Sequence, residues 1–153
     1  MNLYYINLIG FYGPKIVFIF SIFLLFVLKY NIKNTIFYIL GYYLCDRINF
    51  LVKVLIKEPR PIEDINIFNN KKSNRPNINL YGMPSGHALY TTYSTVYIHN
   101  IFKNIFITFI YCIITLICIN EQFIYKNHTI KQLFVGFILG ICIAYFIIYI
   151  QNL

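Results

Sequence analysis

NIFITFIYCIITLICIN, residues 104–120, decides the fold. It carries no charge, no proline and no glycine, and asparagines bracket it at both ends. A bilayer core about 30 Å thick needs roughly 20 helical residues, and inside it only a helix or a closed barrel satisfies every backbone N–H and C=O. The same ruler finds spans at 35–56, 85–102 and 128–150. A further span, 15–30, is apolar from Ile16 to Leu28 and short unless part of 7–13 extends it across Pro14. The expected fold is therefore all-α: a multi-pass transmembrane helical bundle of about five spans, in a single domain over 1–153. Residues 1–14 form an N-terminal segment and residues 57–84 a long polar loop. The third span, with Thr91, Thr92, Ser94 and several tyrosines, belongs inside the bundle, away from lipid. Gly136 and Gly140 form a GxxxG, which signals close helix contact.

Composition agrees. Of 153 residues 59% are apolar and only 12% charged, about half the charge of a soluble domain. Aromatics at 20% exclude disorder, and four cysteines, all within apolar runs and without a CxxC pair, read as buried apolar fillers. Residues 1–13 lack the basic start and small-residue cleavage site of a signal peptide, so the N-terminus is expected to stay on the chain. The net charge of +8 rests on 13 Lys and Arg against 5 Asp and Glu. On such a chain the basic residues point to phosphate and the membrane surface, and no nucleic-acid partner is expected.

Asp46, Asn49 and Lys53 fall at i, i+3 and i+7 on one stripe of the second span. Asp46 beside Arg47 reads most simply as a self-neutralising pair. Lys53 begins a Lys-x6-Arg-Pro pattern that ends at Arg60 and Pro61, where the chain leaves the membrane. Tyr81-Gly82-Met83-Pro84-Ser85-Gly86-His87 then sets a turn directly before a helix. Unpartnered amides at a helix start, with Ser85 as cap, bind anions. His128 and Gln132 come one turn apart at the start of the last span.

Singly each piece has a plain reading: Lys53 snorkels, Arg60 meets headgroups, a membrane histidine is merely hydrogen-bonded. Together they suit phosphoryl transfer. Two cations spread charge over the equatorial oxygens, helix-start amides add donors, one histidine attacks phosphorus and the other protonates the leaving oxygen. Pro-Ser-Gly-His arises by chance on the order of once in a thousand chains of this length, and the spaced Lys-x6-Arg-Pro lowers that further.

Lys53-x6-Arg60-Pro61, Pro84-Ser85-Gly86-His87 and His128 together resemble the type 2 phosphatidic acid phosphatase (PAP2) superfamily, over roughly residues 40 to 142. The resemblance implies a metal-independent, cofactor-free phosphatase with a phosphohistidine intermediate. His128 would be the nucleophile and His87 the acid, with Lys53, Arg60, Ser85 and Gly86 holding phosphate and Pro61, Pro84, Gln122 and Gln132 supporting them. Lys57-Glu58-Pro59-Arg60-Pro61, Tyr81-Gly82-Met83-Pro84 and His128-Thr129-x2-Gln132 are similar to dolichyl-diphosphatases. They imply a polyisoprenyl (lipid) phosphate as substrate partner and the endoplasmic reticulum or another internal membrane as location.

Two departures stand out. The family's third motif is Ser-Arg-x5-His-x3-Asp; here Glu121 and Gln122 stand at Ser and Arg, and Gln132 at Asp, as in the dolichyl branch. Gln122 is expected to approach the phosphate as a neutral amide where the family has a cation, with Lys126 or Lys131 as substitutes. Gln132 can still fix a histidine tautomer but brings no negative charge. A rival reading is therefore a catalytically impaired relative that binds lipid phosphates or membrane partners; a small transporter rests only on Asp46 and Arg47. Asn127-His128-Thr129 is also a glycosylation sequon, discounted because a glycan would block the histidine. Basic residues on the loop face, Lys57, Arg60, Lys71, Lys72, Arg75 and Lys126, outnumber Lys29, Lys33 and Lys103 opposite. Positive-inside counting puts the site in the cytoplasm, whereas the resemblance puts it in the lumen; a phosphate site biases the count, so the lumen is favoured.

Overall fold

The computed structural model describes residues 3–28, 31–61 and 80–153. Most of the 57–84 loop, including Lys71, Lys72, Ser73, Arg75 and Pro76, lies outside the described residues, as does Lys29. Among the described residues five helices follow one another: α1 (Leu3–Phe23), continued by a π-helical turn (Leu24–Leu28), α2 (Ile32–Ile56), α3 (Gly86–Phe102), α4 (Ile105–Ile124) and α5 (Ile130–Gln151). Among the described residues there is no strand, only an isolated antiparallel bridge between Pro59 and Tyr81.

Among the described residues three stretches are long and apolar enough to cross a membrane: Tyr5–Leu28, Ile105–Ile124 and Ile130–Gln151. Their outer faces expose Ile19, Phe106, Leu116, Phe134 and Tyr149, a surface that lipid covers at no cost and water does not. α2 and α3 pack with them but fall short of that measure. α2 carries Lys33, Asp46, Arg47 and Lys53, and α3 has only 17 residues, many of them polar. Asp46 and Arg47 do pair, with Tyr90 Oη donating to Asp46 Oδ1 and the guanidinium 4.9 Å from the Tyr43 ring.

The first span begins at Tyr5, ten residues before the apolar run alone implies, because α1 passes through Pro14. Proline breaks a helix mainly by removing an N–H and crowding the preceding turn, and a neighbouring helix can take up the loosened carbonyls. Here His87 Nε2 meets Phe11 O at 2.9 Å, and Tyr42 Oη donates to Pro14 O at 3.0 Å. α4 runs past Asn120 to Ile124, so Glu121 and Gln122 sit on its last turn.

α3 is the central helix and touches the other four. Its inward tyrosines Tyr93 and Tyr97 stack with Tyr38 of α2, and their hydroxyls donate to the carbonyls of Tyr38 and Asn34. The GxxxG of α5 lies against this helix: a Cβ on Gly136 would come 2.4 Å from Ser85 O, and one on Gly140 2.7 Å from Leu89 O. On the other side, a Cβ on Gly10 would strike Glu121, and one on Gly13 would strike Cys118. Cys45 and Cys118 are buried as expected, whereas Cys112 and Cys142 are exposed on the outer faces of α4 and α5. A thiol is apolar enough to sit against lipid as readily as in a core.

Candidate active site

Lys53, Arg60, Ser85, Gly86, His87, His128 and Gln132, spread over 80 positions of sequence, come together at one end of the bundle. The two ends of the polar loop are joined first. Arg60 N donates to Leu80 O at 3.2 Å and Gly82 N to Glu58 O at 2.8 Å, across the Pro59–Tyr81 bridge. Pro59 and Pro61 on either side hold Arg60 extended. Lys53, only 5% exposed, donates from Nζ to Tyr81 O at 2.7 Å, using one of its three donors.

His128 lies just before α5, not on it: Thr129 is the N-cap, in a reciprocal capping box with Gln132. Gln122 O receives both Asn127 N (3.1 Å) and His128 N (3.2 Å), which fixes the approach of the histidine. Arg60 Nη1 donates to Asn127 O at 2.9 Å and lies 3.3 Å from His128 Nε2.

Hydrogen bonding determines the protonation pattern. Gln132 Nε2 faces two acceptors, Glu58 Oε1 at 3.0 Å and Pro59 O at 2.9 Å. Its Oε1 must therefore be the atom 3.2 Å from His128 Nδ1, where it also accepts from Thr129 N. An amide oxygen only accepts, so the proton of a neutral His128 ring sits on Nδ1. Nε2 then carries the lone pair and faces the Arg60 guanidinium. Burial, reinforced by the charges of Arg60 and Lys53, pushes the His128 imidazole well below its ordinary value of 6.5, so the ring stays neutral. Burial would raise the Glu58 carboxyl, but hydrogen bonds from Lys131 and Gln132 outweigh it and leave it lowered. The negative charge that Gln132 lacks is thus present one residue behind it, on Glu58.

α3 contributes its first turn. The amides of Gly86, His87 and Ala88 precede the first intrahelical bond, from Leu89 N to Ser85 O. Ser85 occupies the N-cap position but does not cap with its side chain. Its Oγ is buried and has no partner among the described residues, while its backbone N donates to Gln132 O at 3.0 Å. The expected capping role gives way because that backbone bond ties the turn to α5, leaving the hydroxyl as an available donor. Pro84, fully buried after a cis peptide bond from Met83, and Gly82, against whose Cα the Gln132 amide packs, complete the turn.

His87 is half-buried in the bundle, and since Phe11 O only accepts, its Nε2 carries a proton. Nδ1 is the nitrogen left to exchange a proton with a substrate. Gln122 stands differently from its expected place. Its side-chain Nε2 donates to the Glu121 carboxylate, both residues are buried, and among the described contacts none joins that amide to Lys53 or Arg60. Its backbone oxygen, not its side chain, serves the site. Lys131 pairs with Glu58 Oε2 at 3.0 Å, on the side of Glu58 away from the Gln132 amide's partner oxygen. His99, at the far end of α3, bonds Thr108 Oγ1.

Sequence reading missed Glu58 and Phe11. Glu58 stood within the Lys57–Pro61 motif, which marked the neighbourhood but not the role; a backbone carbonyl such as Phe11 O leaves no signature at all.

A buried lone pair flanked by two cations, a donor-lined helix start and a second histidine can accept and transfer a phosphoryl group. No curated protein and no solved structure matches the chain. The family model for the PAP2 superfamily matches residues 16–153. This helical membrane protein, with the motif residues of all three segments meeting at one end, belongs to the PAP2 superfamily.

Proposed function

We propose that the protein is an integral-membrane phosphatase that hydrolyses a polyisoprenyl diphosphate or related lipid phosphate through a phosphohistidine at His128. The observation that carries this reading is the chain Glu58–Gln132–His128, which leaves an unprotonated Nε2 beside Arg60. Lys53, Arg60, Ser85 Oγ and the first-turn amides of α3 are the groups available to a phosphate. As Nε2 attacks, the charge gathering on the equatorial oxygens meets donors already in place. His87, protonated on both ring nitrogens when the substrate is bound, gives the leaving oxygen its Nδ1 proton and takes one back from water when the intermediate is hydrolysed. Lipid keeps the hydrocarbon of the substrate in the plane of the bundle, and an internal membrane is the proposed location.

A second reading has its own observation: the Gln122 amide is bound to Glu121 instead of supplying a cation, which suits a relative that binds lipid phosphates with little turnover. Phosphate release from a polyisoprenyl diphosphate and from phosphatidate, by protein purified in detergent with EDTA present, separates the two. Turnover of either substrate, together with an acid-labile, base-stable phosphoenzyme lost in His128→Gln, is the expected result. Saturable binding of both lipids with no release of phosphate would leave the binding protein.

A further inference from the structure

Beside the phosphate-binding residues lies a cavity of about 650 Å³, whose wall includes Phe11, Lys15, Phe18, Tyr42, His87 and Tyr90. Gly86 and His87, which belong to the candidate site, also line this cavity. Aromatic rings make most of the wall, as hydrocarbon requires. Among the described residues lining it, Lys15 alone carries a permanent charge.

Lys15 points toward the reacting end. α1 enters the bundle beside the site, with Asn7 bonded to Tyr125, Gly10 against Glu121 and Phe11 O against His87. Along α1 the residues before Lys15 are therefore the ones nearer the site, and its ammonium lies 5.6 Å from the ring centroid of Tyr12, one turn back in that direction. A lipid monophosphate has a single phosphate, which Lys53 and Arg60 already serve. A cation in the cavity beyond the acid has an anion to meet only if the leaving group is itself charged.

We propose that Lys15 binds the retained phosphate of a lipid diphosphate, whose hydrocarbon follows the aromatic wall, and so makes this chain select diphosphates over monophosphates. The inference rests on the phosphatase reading above. His128 Nε2 forms a bond to the terminal phosphorus while the bond from that phosphorus to the bridging oxygen breaks. The bridging oxygen keeps the electron pair, takes the proton of His87 and departs on the lipid monophosphate, on the cavity side. Water then attacks the phosphohistidine, its proton returns to His87, and inorganic phosphate leaves. Lys15 stands immediately before residues 16–153, the part that matches the family.

The test compares farnesyl diphosphate with farnesyl monophosphate, using full-length wild type, Lys15→Met and Lys15→Arg in detergent. Methionine keeps the length of the stem and is apolar, so a lipid-facing helix tolerates it. The ratio of kcat/KM for diphosphate over monophosphate should fall at least tenfold in Lys15→Met and return to within about threefold of wild type in Lys15→Arg. An unchanged ratio in Lys15→Met overturns the proposal while leaving the phosphatase reading intact. If wild type turns over neither lipid, that reading fails, and binding still decides the role of Lys15. Farnesyl methylenediphosphonate should raise the unfolding temperature of wild type more than farnesyl monophosphonate does, and Lys15→Met should erase the difference. Persistence of the difference refutes Lys15 as the phosphate ligand.

Discussion

In the proposed reaction His128 attacks phosphorus only while its proton stays on Nδ1, and in this chain two residues share that task where a single carboxylate would suffice. Gln132 accepts the Nδ1 proton, and Glu58 accepts from Gln132 and fixes which way the amide points. Gln132→Leu should therefore lower kcat by about 100-fold or more, as loss of the tautomer does in other histidine sites. Gln132→Asp should not rescue the site, because two carboxylates would then face each other across the 3.0 Å now spanned by a hydrogen bond. The swap Glu58→Gln with Gln132→Asp should recover most of the rate, measured as kcat on the same lipid; a fast Gln132→Asp single variant would show that Glu58 plays no part. Protonation follows the same residues. With its folded value depressed from 6.5, His128 is neutral at and well below pH 6.5, and its contribution to stability is present above the unfolded value and lost as pH falls below it. In protein labelled with ¹⁵N-histidine, the resonance absent from His128→Gln should stay that of a neutral ring at pH 6; an imidazolium signal there would contradict the burial-driven shift. Ser85 separates binding from folding. Its buried hydroxyl has no partner among the described residues, so Ser85→Ala should leave the unfolding temperature unchanged or raise it, while losing a phosphate donor costs about tenfold or more in kcat/KM.

At the scale of elements, the site depends on how closely helices approach. Gly136 lies under the carbonyl of Ser85, the residue that starts the phosphate-binding turn. Any side chain there pushes α3 from α5 at the point where Ser85 N bonds Gln132 O. Gly136→Val should cost about 1 to 3 kcal/mol of stability and reduce turnover more than the same change at Gly140, which meets α3 one turn farther from the site. Thermal unfolding and kcat measured on both variants check the order. α1 and α4 meet through Gly10 and Gly13 in the same manner, and that contact carries Phe11 O to His87.

Across the whole molecule, residues 3–15 complete a site whose family match starts only at 16. A chain begun at Ile16 would keep just 13 residues before Lys29, about 20 Å of helix against a bilayer core of about 30 Å. It would also lose the acceptor of His87. Such a truncation should retain little turnover even where it inserts in membranes, measured as phosphate release per mole of membrane-extracted protein; full activity would mean that α1 is dispensable. Six basic residues on the loop face, where the proposed phosphate site lies, and three opposite give charge counting no clean hold on orientation. Labelling of a Ser73→Cys variant, with the native cysteines replaced, in sealed vesicles is expected to report the lumenal side.

Helix count and membrane class were legible in the chain because each has a one-dimensional signature, a run of apolar residues as long as the bilayer is thick. Lys53, Arg60, His87 and His128, the proposed site residues, stood out because they sit in short motifs. Tertiary structure alone decided that α1 continues through Pro14, since α3 and α2 grip it on either side of the proline through Phe11 O and Pro14 O. It alone decided that Ser85 offers its hydroxyl instead of capping, and that Gln122 turns to Glu121. Above all it supplied Glu58 as the charge behind Gln132: residues 74 positions apart meet only because the loop ends pair and α5 begins beside them, and no spacing rule along the chain encodes that distance.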